Sequence, residues 1–366
     1  MRTISGDYIR ADGSLIRGQI TFDKRIVDVF PAPVESNDYI LPGLIDLQVN
    51  GSHRIDVMSA DVEQLASLSG QLAREGCTAF LATAVTSPLD RIERVEAAIS
   101  RAIERSDEVQ GAAILGMHLE GPFISPSRLG AHEALNLEPS GEPLERVLAL
   151  RSLKLLTLAP ELPGALAATR RLADRGVRVS IGHTDATLDQ ARAGIEAGAR
   201  MFTHLFNAMR PLHHREPGVI AAAFAPSPAY AAVIPDGVHV HVEMLRLAWR
   251  TRGAAGTILT SDKVALAGTA GTADLGRGRA RIVQGAARLA DGTIAGSVIS
   301  MLDGVRLMVG EGGISVGQAA MLAASNPAKL LGLTDRGRIE VGGHADLLLL
   351  NRKLELKAVF VRGREI

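Results

Sequence analysis

Residues 112–124 read AAILGMHLEGPFI. An apolar run ends on His118 and Glu120, and Gly121-Pro122 stops it. The run is continuously apolar rather than alternating, as a strand covered on both faces should be. His118 and Glu120 stand two residues apart, so an extended chain aims both side chains the same way. A carboxylate at the end of a buried strand is costly unless an opposite charge meets it. The stretch therefore predicts a buried parallel strand and a positively charged partner at its end.

Working outward, seven more runs have the same character: 43–50, 77–83, 153–161, 177–183, 199–206, 230–236 and 257–262. Helical periodicity fills most of the gaps, as in DVEQLASLSGQLAREG and PLDRIERVEAAISRAIERS. Repeated strand–helix units predict an α/β fold, and eight of them predict a closed (β/α)8 TIM-like barrel rather than a doubly wound open sheet. The ends differ. Residues 1–40 and 338–366 read as short antiparallel strands joined by tight turns, so both termini are expected to build one small β-domain. The expected division is 1–42 and 338–366 as the two parts of a β-sandwich, with the barrel at 43–337.

The polar residues gather at the C-terminal ends of these strands. Gln48 and Asn50 end the first, His118 and Glu120 the third, Glu161 the fourth and His183 the fifth. His204 is in the sixth, Asp236 ends the seventh and Asp262 the eighth. Barrel enzymes carry their chemistry on that face. A lone strand-end histidine is usually a hydrogen-bonded core residue. One carboxylate and two imidazoles at three such ends make a hydrolytic metal site, so Glu120, His183 and His204 are the expected ligands. His118 is expected to support them from behind. Asp262 beside such a site is placed to carry a proton as general base and acid, although loop or helix-capping aspartates are common. His132, in the loop after the third strand, could polarise a substrate carbonyl. Arg215 and His239 follow the sixth and seventh strands and suit an anion, although alone either reads as a surface residue.

Bulk composition narrows the function. Forty basic and forty acidic residues cancel, which gives no argument for nucleic acid or a membrane surface. Aromatic residues make up 3%, too few for a base-stacking surface. The single cysteine, Cys77, cannot form an internal disulfide, and the first twenty residues lack a long apolar core. A cytoplasmic enzyme without a signal peptide or a membrane span is expected.

With these motifs in order, the chain resembles the amidohydrolase superfamily and, within it, the N-acetylglucosamine-6-phosphate deacetylase family. The resemblance rests on PGLIDLQVNG, GMHLEGPFI, GAH, LAPE, SIGHTDAT, THLFNAM, REPG, PDGVHV, LADGTIAGSVISM and GRIEVGGHADLLLL, which span nearly the whole chain. It implies a metal-dependent amide hydrolase with Glu120, His183 and His204 on the metal, Asp262 as acid and base, and His132 on the acetamide carbonyl. It also implies that Asn207, Ala208, Arg215 and His239 hold the sugar phosphate, that Ser300 and Met301 close over the sugar, and that the chain forms a homodimer. Two features depart from the superfamily pattern. Gln48 and Asn50 stand where many members carry His-x-His for a second metal, and amides are poor ligands for a transition metal. One divalent ion per subunit is therefore expected, with zinc the best fit to the donors and iron or cobalt as alternatives. Lys263 follows Asp262 where a small residue is usual; aimed at the cleft, it would lower the Asp262 pKa. The galactosamine epimer as substrate, another amide hydrolase, and an inactive scaffold remain as alternatives.

Overall fold

The computed structural model describes residues 1–106, 109–135 and 137–366. The first strands are β1 (Arg2–Ile9), β2 (Leu15–Phe22), β3 (Ile26–Pro31) and β4 (Tyr39–Pro42). The first barrel strand, β5 (Leu44–Val49), follows at once, and a small hairpin, β6 (Gly51–Ser52) and β7 (Ile55–Asp56), caps its exit. Seven further barrel strands come in turn: β8 (Cys77–Val85), β9 (Ala113–Glu120), β10 (Leu153–Leu158), β11 (Arg178–Ile181), β12 (Met201–Phe202), β13 (Tyr230–Val233) and β14 (Thr257–Leu259). All eight coincide with the apolar runs read from the sequence, and each pairs in parallel with its chain neighbour.

The barrel closes where β5 meets the chain leaving β14. Val49 bridges Lys263, and the Asn50 amide donates to the Lys263 carbonyl at 2.8 Å. Below this bridge the buried Asp46 carboxylate accepts from Thr260 Oγ1 at 2.9 Å and from the Ser261 hydroxyl. Burial raises the Asp46 pKa against these hydrogen bonds.

The two-residue period of the strands builds the interior in layers. The lowest layer is apolar: Ile45, Leu47, Leu81, Leu155, Met201 and Ile258, sealed by Ala328 and Leu330. Above it, at β8, β9, β10, β12 and β14, the interior turns polar, at Thr83, His118, Thr157, Thr203 and Thr260. The next step up brings Val85, Glu120 and Asp262 to the mouth.

Helices cover the outside. α1 (Val62–Arg74) starts in a capping box between Asp61 and Gln64 and buries Leu65, Leu68 and Leu72. α2 (Leu89–Glu104) buries Ile92, Val95 and Ile99 at helical spacing. α3 (Gly141–Leu148), α4 (Ala165–Asp174), α5 (Leu188–Glu196), α6 (Gly218–Phe224), α7 (Val242–Gly256) and α8 (Met301–Gly310) complete the ring, followed by α9 (Val316–Ala320) and α10 (Asn326–Leu331).

A four-stranded antiparallel meander interrupts the pattern between β14 and α8: β15 (Thr272–Leu275), β16 (Gly278–Val283), β17 (Ala286–Leu289) and β18 (Ile294–Ser297). It was not foreseen within the expected barrel segment. The chain then returns through β19 (Leu347–Leu350), β20 (Leu356–Val361) and β21 (Arg364–Glu365) to the terminal sheet, whose order is β21-β20-β19-β4-β1-β2-β3. Four inter-strand steps separate β20 from β2, which in a flat sheet is about 19 Å. The rings of Phe22 and Phe360 lie only 5.1 Å apart. The sheet is therefore bent back on itself around Tyr8, Ile20, Phe22, Ile40, Leu347 and Phe360. Its other face, with Ile9, Leu41, Leu348 and Val361, joins the core that runs into the barrel helices.

Candidate active site

The site begins with strand ends that aim inward. Glu120 is the last residue of β9, and His183 and His204 follow β11 and β12 by two residues. His183 (φ 48°), His204 (φ 30°) and Asp262 (φ 50°) all occupy the left-handed region, where non-glycine residues are uncommon. Such backbone strain gathers where the surrounding structure fixes it for a purpose. The loop after His183 is anchored by Glu161, which accepts from Thr184 Oγ1 at 2.5 Å and from the Asp185 amide at 2.7 Å.

Three donor atoms converge here. Glu120 Oε1 lies 2.9 Å from His204 Nε2 and 3.3 Å from His183 Nε2, and the two imidazole nitrogens are 3.2 Å apart. Ligands bound tetrahedrally at about 2.1 Å stand roughly 3.4 Å from one another, so this triangle fits one small divalent cation. The tautomer agrees. His183 Nδ1 is 2.9 Å from the Arg128 carbonyl and must donate to it, which leaves the Nε2 lone pair facing Glu120. Burial lowers the His183 pKa to about 4, and the neighbouring histidines act in the same direction. For His204 burial also lowers the pKa, but the Glu120 carboxylate outweighs it and the net shift is upward. Among the described residues, His204 Nδ1 is buried without a hydrogen-bond partner. Donor atoms of Glu120, His132 and His183 also fall within 4.8 Å of one another. His132 faces the other carboxylate oxygen, at 3.5 Å, and its Nδ1 is 2.9 Å from Thr86 Oγ1. The tighter triangle at Oε1 is therefore the better ligand set, and His132 stands to the side, facing the cavity.

Beneath them, His118 bonds the Leu47 carbonyl at 3.0 Å and Thr157 Oγ1 at 2.8 Å, and Thr157 continues to Thr203 at 2.8 Å. This polar layer fixes the floor under the ligands, and burial lowers the His118 pKa to about 4. The two amides have a clear task. Gln48 Nε2 donates to Glu120 Oε1 at 2.9 Å, and Asn50 Nδ2 donates to Asp262 Oδ1 at 2.8 Å. Burial, reinforced by the Glu120 charge, pushes the Asp262 carboxyl up to about 6. An aspartate so placed exchanges protons near neutral pH.

A cavity of about 410 Å³ opens above these groups. Of the residues expected around it, His132, Asn207, Ala208, His239 and Asp262 line it. His239 Nδ1 lies 2.5 Å from Asp236 Oδ2; burial acts to raise the Asp236 pKa, but His239 and the Val238 and His239 amides outweigh it. Three expected residues are not in the lining. Arg215 is exposed beside His214 in the 211–216 loop. Ser300 caps α8 through Asp303, and Met301 is buried in the main core. Lys263 does not meet the condition stated for it: it is absent from the cavity lining, pairs with Glu75, and bridges Val49 on one side and Ser297 on the other. The sequence reading missed Thr86, which links His132 to the Glu120 carbonyl, and Arg91. It also missed the meander wall from Thr293 to Gly296, although the turn signals Gln284-Gly285 and Asp291-Gly292 mark its hairpins.

Residues 39–366 match the Amidohydrolase family. The N-acetylglucosamine-6-phosphate deacetylase of Bacillus subtilis (strain 168) is 38% identical over 340 residues, covering 91% of this chain and 85% of the relative. The N-acetylgalactosamine-6-phosphate deacetylase of Escherichia coli O157:H7 is 33% identical over 344 residues, covering 92% of this chain and 91% of the relative. Among solved structures, a mutant N-acetyl-D-glucosamine-6-phosphate deacetylase from Mycobacterium smegmatis, in complex with N-acetyl-D-glucosamine 6-phosphate, aligns with a TM-score of 0.92 at 33% identity over 99% of this chain and 98% of its own.

Proposed function

This chain belongs to the amidohydrolase family, and on that premise we propose that it hydrolyses the acetamide of N-acetylglucosamine 6-phosphate to glucosamine 6-phosphate and acetate. The observation that carries the reading is the convergence of Glu120, His183 and His204 on one point with Asp262 and His132 around it. Glu120, His183 and His204 would hold one divalent cation, with Zn²⁺ the best match to one oxygen and two nitrogen donors. When bound, it supplies the charge that makes a water nucleophilic and the acyl carbonyl electrophilic.

The chain's own residues do the rest. Asp262, held by Asn50, takes the proton of the attacking water and passes it to the departing nitrogen. His132, steadied by Thr86, faces the carbonyl oxygen as charge develops there. Asn207, the backbone at Ala208 and His239 hold the sugar phosphate at the opposite wall. Arg215 joins them from a second copy of the chain: its exposure beside Leu212, itself 48% exposed, supports a homodimer in which this loop reaches a neighbour. The reading carries with it the division into 1–42, 43–337 and 338–366, and a cytoplasmic setting. No helix of the described residues is long and apolar enough to cross a membrane.

The galactosamine epimer is the second reading, favoured by the Escherichia coli relative. Release of free amine from both 6-phosphates, with and without chelator, tests the two together. Hydrolysis of neither contradicts both; a preference for the galacto epimer replaces the first reading with the second.

A further inference from the structure

Arg91 is the one arginine or lysine among the described residues that line the cavity. Its side chain has no hydrogen-bond or ion-pair partner among the described residues. It sits in the first turn of α2, where the helix dipole favours anions, so local structure gives no reason for a cation there. Asp56 is near enough for the Arg91 charge to act on its carboxyl, but burial dominates and raises the Asp56 pKa. Asp56 Oδ1 already accepts the Met58 amide at 2.9 Å.

Arg91 shares the cavity lining with residues that adjoin the reacting centre. Thr86 touches His132. Val85 precedes it and packs on Met58, whose sulfur lies 3.3 Å from the Val85 amide. Met58, Val85 and Arg91 all line the cavity. The chemistry fixes what faces this corner. An acyl carbon has three substituents. Its nitrogen must face Asp262, its oxygen faces His132, and the sugar lies toward Asn207 and His239. Two parts of the lining remain for the acyl tail: the meander wall from Thr293 to Gly296, and the corner formed by Met58 after β7, Val85 at the end of β8 and Arg91 on α2; only the second carries a cation.

We propose that this corner is an acyl subsite for N-acyl groups longer than acetyl that end in a carboxylate, with Arg91 binding the carboxylate. The inference rests on the amide-hydrolase reading above. A short dicarboxylic acyl group would lay its methylenes on Met58 and Val85 and meet the guanidinium's forked donors. The bond change is the same hydrolysis. Water adds across the amide, the C–N bond breaks, the amine leaves with the proton carried by Asp262, and the acyl group leaves as a dicarboxylate.

The test compares kcat/KM of the metal-loaded protein on the N-acetyl, N-butyryl and N-succinyl derivatives of glucosamine 6-phosphate. Butyryl matches succinyl in carbon count but lacks the charge. The expected result is a succinyl-over-butyryl preference of about tenfold, the scale of one hydrogen bond to a charged group. Arg91→Met should bring that ratio to about one, and Arg91→Lys should restore part of it. A wild-type ratio near one, or an unchanged ratio in Arg91→Met, overturns the subsite while hydrolysis of the acetyl compound leaves the deacetylase reading standing. Failure to hydrolyse the acetyl compound at all overturns both.

Discussion

Asp262 has two neighbours with opposite effects on its proton. Glu120 and burial raise its pKa, and the Asn50 amide favours the carboxylate. As a base it works only when ionised, so kcat/KM should fall as the pH drops through its pKa. A bound cation favours the carboxylate and moves that fall downward, which places the acid limb at or below about pH 6. An acid limb centred above pH 7 would contradict the assignment. Asp262→Asn should lower kcat by about 10²–10⁴ while metal content stays unchanged; near-normal turnover would remove Asp262 from the mechanism. His132→Asn should cost about 10²–10³ in kcat, also without loss of metal, and loss of metal instead would make His132 a ligand. The residue types at the strand ends were legible because buried carboxylates and imidazoles need a reason. Their left-handed backbone was not, because no glycine marks His183, His204 or Asp262. Nor was the direction of Lys263. Side chains alternate along a strand, but the bridges to Val49 and Ser297 set which way this one turns.

At the level of elements, the barrel seam holds Asp262 in place. Lys263 ties β5, the end of β14 and the meander together, and its buried ammonium meets Glu75 at the end of α1. Glu75→Gln removes the countercharge. Since Glu75 is 26% exposed, the cost should be about 2 kcal/mol, below that of a fully buried pair. Urea unfolding measures it, and a change under about 0.5 kcal/mol would mean the pair carries no weight. The eight barrel strands were legible because both their faces are covered, which leaves continuous apolar runs. The meander was not. Its strands are short and partly exposed, as in GRARIV, and their alternation is too brief to stand out beside the turns.

For the whole molecule, the terminal sheet rolls around its own core on one face and docks on the barrel with the other. Phe22, fully buried against Phe360, joins the two layers of that roll. Phe22→Ala should cost about 3–5 kcal/mol in unfolding free energy, and a loss under 1 kcal/mol would show that the layers do not depend on it. The sequence pointed to two terminal segments in one domain through their matching turn-rich patterns. It could not show the fold-back, which depends on a contact 338 residues apart in the chain. Nor can one chain's sequence display which surface meets a second copy. The central claim is that Glu120, His183 and His204 together hold one cation without which the amide is not cut. Its most direct test is a titration of chelator-stripped protein with Zn²⁺, following metal content and acetate release from N-acetylglucosamine 6-phosphate together. The account predicts no release from stripped protein and full recovery at about one equivalent per chain. Full turnover by protein holding less than about a tenth of an equivalent would contradict it.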